Sequence, residues 1–210
     1  MVKKWRTGFR LGLFDGEKPN KWSMLGIDDI HSKKHQALTL SAAEQSMTLL
    51  KNEKNILPLR LASLSNVAVI GPLANVTTVM MGGKTDYCPE HTVSLCEGIT
   101  ARAAAARVRV TCTDTGGGSS PDNDSSGGVS GDDDDASLSA AVAAAVHGMD
   151  AVVLAVGGIF GHEAADRTEI TLPEDQIRLI NATIASAAAA STPLVYAYIY
   201  IYIYIYIETR

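Results

Sequence analysis

The sequence predicts an α/β fold with a mainly parallel sheet, and two features of its hydropathy pattern support this. The runs at 67–70 and 151–156 are continuously apolar, which is typical of strands buried on both faces of a parallel sheet. Segments with apolar residues at three- and four-residue spacing, which predict helices, precede and follow these runs. Helices and strands therefore alternate along the chain, as they do in layered α/β domains.

The predicted elements begin after residue 32. A helix is expected at 33–51, where Leu40, Ala43, Met47 and Leu50 share one helical face. In the last predicted helix, three isoleucines in register indicate the buried side, namely Ile177, Ile180 and Ile184. The later elements, in chain order, are a strand at 67–70, a helix within 93–106, a strand at 108–111, a helix at 136–147, a strand at 150–156 and a helix at 176–190.

Three segments lie outside this pattern. Residues 5–30 are rich in Gly, Pro, Asp and Trp, so they predict an irregular linker. Residues 116–135 are a low-complexity Gly/Ser/Asp stretch, which predicts a disordered surface loop. Its aspartates lack the alternating ligand spacing of calcium loops, and no metal site is expected. Residues 198–207 repeat Tyr-Ile, which we interpret as a translated TA-dinucleotide tract; the alternative is an edge strand.

Composition and charge exclude several classes of protein. The chain has 210 residues and a net charge of -5, so it lacks the basic surplus that nucleic-acid binding requires. No apolar run predicts a membrane-spanning helix, and the charged N-terminus does not resemble a signal peptide. The spacing of Cys88, Cys96 and Cys112 indicates neither a zinc site nor a disulfide framework, and buried free thiols are expected.

Several short motifs occur in a specific order along the chain. They resemble the second domain of glycoside hydrolase family 3, the β-glucosidases and β-xylosidases, from residue 10 to about residue 195, with a slight preference for the β-xylosidase branch. The motifs are RLGLFD at 10–15, AAEQSMTLLKN at 42–52, ILPL at 56–59, VAVIGPLAN at 67–75, VVLAVGG at 152–158, EAADRT at 163–168, and Leu172-Pro173 with Gln176.

The resemblance implies a domain organisation. In this family an N-terminal (β/α)8 barrel carries the nucleophile, and an α/β sandwich carries the acid/base loop. Residues 1–32 then correspond to the linker that leaves the barrel, 33–197 to an incomplete, truncated sandwich, and 198–210 to the repeat tail. The carbohydrate substrate would be reached through the missing barrel, no cofactor is implied, and the fragment is expected to be inactive alone. The family is often secreted or lysosomal/vacuolar.

The resemblance also implies site residues in the segment that follows the strand at 150–156. Glu163 matches a glutamate of the family's acid/base motif and is the candidate general acid/base; the alternative is an exposed loop carboxylate. Asp166 and Arg167 match the family's Asp-Arg and are expected to brace the loop as a forked ion pair.

Two other functions remain open. The chain could be a non-catalytic α/β partner that docks on a separate barrel. It could also be a nucleotide-binding module, since the strand at 67–70 leads into a glycine turn, although no Gly-x-Gly-x-x-Gly follows. Three glycosylation sequons, at Asn75, Asn123 and Asn181, are compatible with a secreted protein but do not establish secretion.

Overall fold

A computed structural model describes residues 2–16, 22, 24–77, 92–114, 135–157, 171–199 and 203–206. Residues Met1–Ser46 and Met47–Arg210 form two compact units. The first contains helices α1 (Val2–Arg10) and α2 (Lys33–Ser46). The predicted domain boundaries at 32/33 and 197/198 stay predictions. The helices of the second unit are α3 (Leu95–Ala104), α4 (Asp135–Val146) and α5 (Glu174–Ala190).

The second unit is built on a six-stranded sheet in the order β1-β6-β5-β4-β2-β3. Strands β2 to β5 run parallel to one another, whereas β6 runs antiparallel to β5 and parallel to β1. The predicted mainly parallel α/β fold is thereby confirmed. The strands are β1 (Thr48–Leu49), β2 (Asn66–Ile70), β3 (Arg109–Thr113), β4 (Ala151–Gly157), β5 (Leu194–Ile199) and β6 (Ile203–Tyr206).

Strand β4 lies at the centre of the hydrophobic core. All seven of its residues are buried, because helices cover both faces of the sheet. Val153 and Ala155 belong to the core cluster on the α3 side. Val152 and Leu154 belong to the cluster on the side of α4 and α5. The continuous apolar run in the sequence therefore reflects burial on two faces, as expected for a parallel sheet.

The buried face of α5 differs from the prediction. Ile177 is 39% exposed, and Ile180 and Ile184 are only partly buried. The buried residues of α5 are Gln176, Leu179, Thr183 and Ala187. The small side chains Thr183 and Ala187 lie inside because they allow the helix to approach the sheet closely. Periodicity located the helix correctly, but the larger isoleucines indicated the wrong centre for its buried face.

The first unit departs from the sequence analysis at two points. Residues 2–10 form a helix, so the prediction of an irregular linker is wrong there; Phe9 packs against Phe14 with a ring separation of 4.6 Å. Helix α2 ends at Ser46 rather than at residue 51, because the chain turns extended and enters β1 at Thr48. Its predicted apolar face is exposed, with Leu40 61% accessible.

The cysteine prediction is also corrected. Cys96 of α3 and Cys112 of β3 form a disulfide across 16 residues of chain, with their Cα atoms 6.2 Å apart. Helix α3 packs back against β3, which brings together two cysteines whose spacing gave no sign of pairing. The expectation of free thiols is therefore wrong for these two residues. Cys88 lies outside the described residues.

The Tyr-Ile repeat contributes a strand. Strand β6 pairs with β5 on one side and with β1 on the other, so this part of the repeat lies within the sheet and not at its edge. The interpretation of the repeat as a translated TA tract concerns its origin and stays a hypothesis. In the described part of the chain, no helix has the length and hydropathy needed to cross a membrane.

Candidate functional site

A functional site is expected beyond the carboxyl ends of β2 and β4. In open parallel sheets, sites lie beyond these strand ends. The two strands are neighbours, with Ile70 in register with Leu154. Both strands give way to a glycine with positive φ, Gly71 at 122° and Gly157 at 127°. Both positions have a backbone conformation that only glycine adopts without strain.

Close backbone contacts explain both glycines. A Cβ on Gly71 would overlap the carbonyl oxygen of Ala155, and a Cβ on Gly157 would overlap the carbonyl oxygen of Ile199. The glycine turn after β2 thus has a packing reason that requires no bound phosphate. This removes the main observation behind the nucleotide-binding alternative.

Gln176 fixes the position at which the chain leaves β4. Its side chain is 7% exposed, and its Oε1 accepts a hydrogen bond from the Gly157 N–H at 2.9 Å. Its Nε2 donates to the Gly157 carbonyl oxygen at 2.8 Å. One carboxamide thus satisfies both backbone groups of the last residue of β4. Because Gln176 belongs to the first turn of α5, these hydrogen bonds hold the start of α5 against the end of β4, on either side of the connection at 158–170.

That connection holds the residues singled out by sequence. Glu163, Asp166 and Arg167 lie outside the described residues. Their predicted roles stay predictions. The structure does describe two residues that flank this connection, Gly157 at the end of β4 and Gln176 in the first turn of α5.

The start of α5 is itself well defined. Pro173 is the N-cap residue, and Glu174 and Asp175 occupy the first turn. Acidic side chains at this position interact favourably with the positive end of the helix dipole. The connection at 158–170 therefore ends in a stable helix start. Among the described residues, no group of three His, Cys, Asp or Glu side chains could hold a metal ion.

A different polar contact lies at the amino-terminal ends of β2 and β4. The Asp150 carboxylate accepts hydrogen bonds from the backbone N–H groups of Ser65 at 2.7 Å and Asn66 at 2.8 Å. The bond from Asn66, followed by that from Ser65, lowers the pKa of Asp150 below its ordinary value. Asp150 precedes β4 and Asn66 begins β2, so this contact links the starts of the two central strands.

A cavity of about 400 Å³ opens near the start of β5. Its lining includes Lys54 and Ile56 on one side, and Ile184 and Leu194 on the other. It lies at the amino-terminal end of β5, whereas the connection at 158–170 leaves the carboxyl-terminal end of β4. The cavity therefore does not belong to the candidate site.

Sequence reasoning missed the pairing of Gln176 with Gly157. Both residues belong to quoted family motifs, but nothing in a linear sequence shows that a glutamine side chain faces the end of a strand 19 residues earlier. A polar residue on the sheet-facing side of α5 is the one available signal, because a buried carboxamide needs hydrogen-bond partners.

Comparisons with known proteins agree with one another. The model of the "Glycosyl hydrolase family 3 C-terminal domain" matches residues 47–199. A β-xylosidase/α-L-arabinofuranosidase from Medicago sativa subsp. varia is 35% identical over 83% of this chain and 20% of its own. β-D-xylosidase 3 from Arabidopsis thaliana is 31% identical over 86% of this chain and 21% of its own. The chain thus spans about a fifth of these relatives.

Solved structures show the same fold. A β-glucosidase from Erythrobacter marinus superposes with a TM-score of 0.69 at 23% identity, covering 94% of this chain and 29% of that one. A β-glucosidase from Listeria innocua, solved with isofagomine, gives a TM-score of 0.65 at 25% identity and covers 96% of this chain and 27% of that one.

Proposed function

Because the chain belongs to glycosyl hydrolase family 3 through its C-terminal domain, we propose that it supplies the acid/base side of a retaining β-glycosidase site. In the relatives this domain pairs with an N-terminal barrel. The nucleophile would come from such a barrel. We propose β-xylosides as the substrate class, since the curated relatives cited above are named as β-xylosidases.

The observation that carries the proposal is the anchored connection between β4 and α5. A general acid must be held within hydrogen-bond reach of the leaving-group oxygen, so the segment that bears it needs fixed ends. The two hydrogen bonds between Gln176 and Gly157 provide a fixed base. In the sequence, Glu163 belongs to this connection, which follows the carboxyl end of β4, where a site is expected in a parallel sheet.

The proposed chemistry has two steps. Glu163 protonates the leaving-group oxygen while the barrel's carboxylate attacks the sugar, and it then removes a proton from the water that hydrolyses the glycosyl-enzyme intermediate. For the first step its pKa must be raised, by burial or by the neighbouring carboxylate. Asp166 and Arg167 would hold the loop through a forked ion pair.

A chimaera tests this role. Residues 47–199 would replace the matching segment of β-D-xylosidase 3 from Arabidopsis thaliana, and hydrolysis of two xylosides would be compared. Glu163→Ala should lower kcat on xylobiose, whose leaving group is a sugar alkoxide that needs a proton, about 10²–10⁴-fold, the usual contribution of a general acid. With dinitrophenyl β-xyloside, the same variant should form the glycosyl-enzyme intermediate at the rate of the parent chimaera, because dinitrophenolate leaves without being protonated.

The matched control is Glu169→Ala, which removes a second glutamate of the same connection. It should leave both rates near those of the parent chimaera. Equal losses on both substrates for Glu163→Ala would indicate a structural role and contradict the proposal. The isolated chain should hydrolyse neither nitrophenyl β-glucoside nor β-xyloside. Activity that Glu163→Gln abolishes would place a nucleophile within these 210 residues.

A further inference from the structure

The segment after β2 is fixed against the start of α3. The Ala74 N–H donates to the Gly71 carbonyl oxygen at 3.0 Å and closes a turn. The Cys96 N–H in turn donates to the Ala74 carbonyl oxygen at 2.8 Å. Leu73 and Ala74 are buried, whereas the next residue, Asn75, is exposed. The chain thus brings Asn75 to the surface directly after a well-packed turn.

The carboxamide of Asn75 is oriented by one of its two polar atoms. Its Oδ1 accepts a hydrogen bond from the Ser94 Oγ at 2.9 Å. Ser94 is 2% exposed and is the N-cap of α3, where it forms a capping box with Glu97. Within the described ranges no group accepts a hydrogen bond from the Asn75 Nδ2. The fold therefore holds the amide by its oxygen while the residue remains exposed.

Asn75 is also the first residue of an acceptor sequon, Asn75-Val76-Thr77. The sequon at Asn181 differs, because it lies within α5. There Thr183 is fully buried and its hydroxyl donates to the Leu179 carbonyl oxygen at 2.7 Å. The Asn181 sequon is therefore accessible to a modifying enzyme only when the chain is unfolded, whereas the Asn75 sequon lies in non-helical backbone. Asn123 lies outside the described residues.

The disulfide gives an independent indication of the compartment. Cys96, two residues after Ser94, is bonded to Cys112. Such bonds form and persist in oxidising compartments, including the lumen of the secretory pathway, and are rare in the cytosol. Attachment of glycans to Asn-x-Ser/Thr is a modification of secreted proteins. An exposed sequon and a disulfide thus occur in the same small region of the molecule.

We propose that Asn75 is an N-glycosylation site, modified in the secretory compartment in which Cys96 and Cys112 become oxidised. The donor is an oligosaccharide linked through a diphosphate to a polyprenol lipid. The Asn75 Nδ2 loses one proton and forms a bond to C1 of the first sugar. The bond between C1 and the diphosphate oxygen breaks, and the lipid diphosphate leaves with the electron pair and takes up the proton. No oxidant or reductant is consumed in this transfer.

The test expresses the 210-residue chain, behind a cleavable signal sequence, in a eukaryotic secretory host. The purified chain is treated with a peptide N-glycosidase, which converts a glycosylated Asn into Asp, and is mapped by mass spectrometry. We expect conversion at position 75 and a mobility shift that Asn75→Gln and Thr77→Ala abolish. The conservative Thr77→Ser should keep the glycan, and Asn181→Gln should keep the shift due to Asn75.

Two outcomes would overturn the proposal. One is an unmodified Asn75 in a chain whose Asn123 or Asn181 carries a glycan. The other is an unmodified chain that has passed through the same host as a control glycoprotein that is fully modified. Mapping without reduction reports the Cys96–Cys112 link in the same sample. A linked but unmodified chain would show that the compartment was reached and that the Asn75 assignment is wrong.

Discussion

The side chain of Gln176 hydrogen-bonds both the N–H and the carbonyl oxygen of Gly157. This pairing joins the end of β4 to the start of α5 and closes the base of the connection that carries Glu163. Both residues are buried. The contact therefore joins the central strand of the sheet to the helix that follows the connection at 158–170.

Replacing Gln176 with Ala should destabilise the chain and displace the connection. Two buried backbone groups of Gly157 would lose their partners, at a cost of about 1–3 kcal/mol for each. Urea unfolding followed by circular dichroism measures the change. Gln176→Glu is the matched control of nearly equal size, because it keeps the acceptor for the Gly157 N–H and loses the donor to the carbonyl oxygen. An Ala variant as stable as the parent would show that the hydrogen bonds between Gln176 and Gly157 do not stabilise the fold.

The glycine turn after β2 gives a second prediction. Gly71→Ala should cost at least about 3 kcal/mol, because strain at positive φ adds to an overlap with the Ala155 carbonyl oxygen. Gly148 is the matched control: its φ is 72° and no atom lies within 4 Å of an added Cβ. Gly148→Ala should cost about 1 kcal/mol. Equal midpoints of urea unfolding for the two variants would refute the packing explanation.

The parts of the fold that the sequence predicts are those encoded by local patterns. The apolar run at 151–156 identifies β4 because burial on both faces leaves no polar position within the strand. The helix predicted at 176–190 begins two residues too late and ends at the same residue as α5. In each case the signal and the structure involve the same short segment of chain, and no distant contact is needed to interpret it.

The remaining features depend on contacts between distant segments. The disulfide requires α3 to fold back on β3, and the spacing of Cys96 and Cys112 does not encode this. The buried face of α5 is decided by how closely the helix approaches the sheet, which favours Thr183 and Ala187 over the larger Ile177. For the candidate site, motifs identified Gln176 as a family residue, but only the fold shows that Gly157 is its partner.

Removing the disulfide should lower the stability of the second unit. A cross-link that closes a loop of about this length is worth about 3 kcal/mol in the chain-entropy model. Unfolding of the oxidised chain should therefore occur at lower urea concentration after addition of dithiothreitol. The Cys96→Ser/Cys112→Ser double variant serves as the control and should unfold at the reduced chain's midpoint with or without dithiothreitol. A parent chain that does not respond to the reductant would argue against the bond.

Acidification should weaken the contact between Asp150 and the start of β2. Because the hydrogen bonds from Asn66 and Ser65 lower the pKa of Asp150 in the folded chain, folding favours the ionised carboxylate. The resulting stability is fully present above the unfolded-state pKa, near 3.8, and is lost as the pH falls through the lower folded-state value. Asp150→Asn removes the titrating group at nearly constant size.

The measurement compares the urea midpoints of the parent and Asp150→Asn chains from pH 7 down to pH 2. The parent should be the more stable chain at pH 7, since only a carboxylate makes a charge-assisted hydrogen bond to each backbone N–H. The difference should shrink below pH 4, because the carboxylate is protonated first in the unfolded chain and, at lower pH, in the folded chain. A difference that stays constant over this range would mean that the charge of Asp150 does not stabilise the paired starts of β2 and β4.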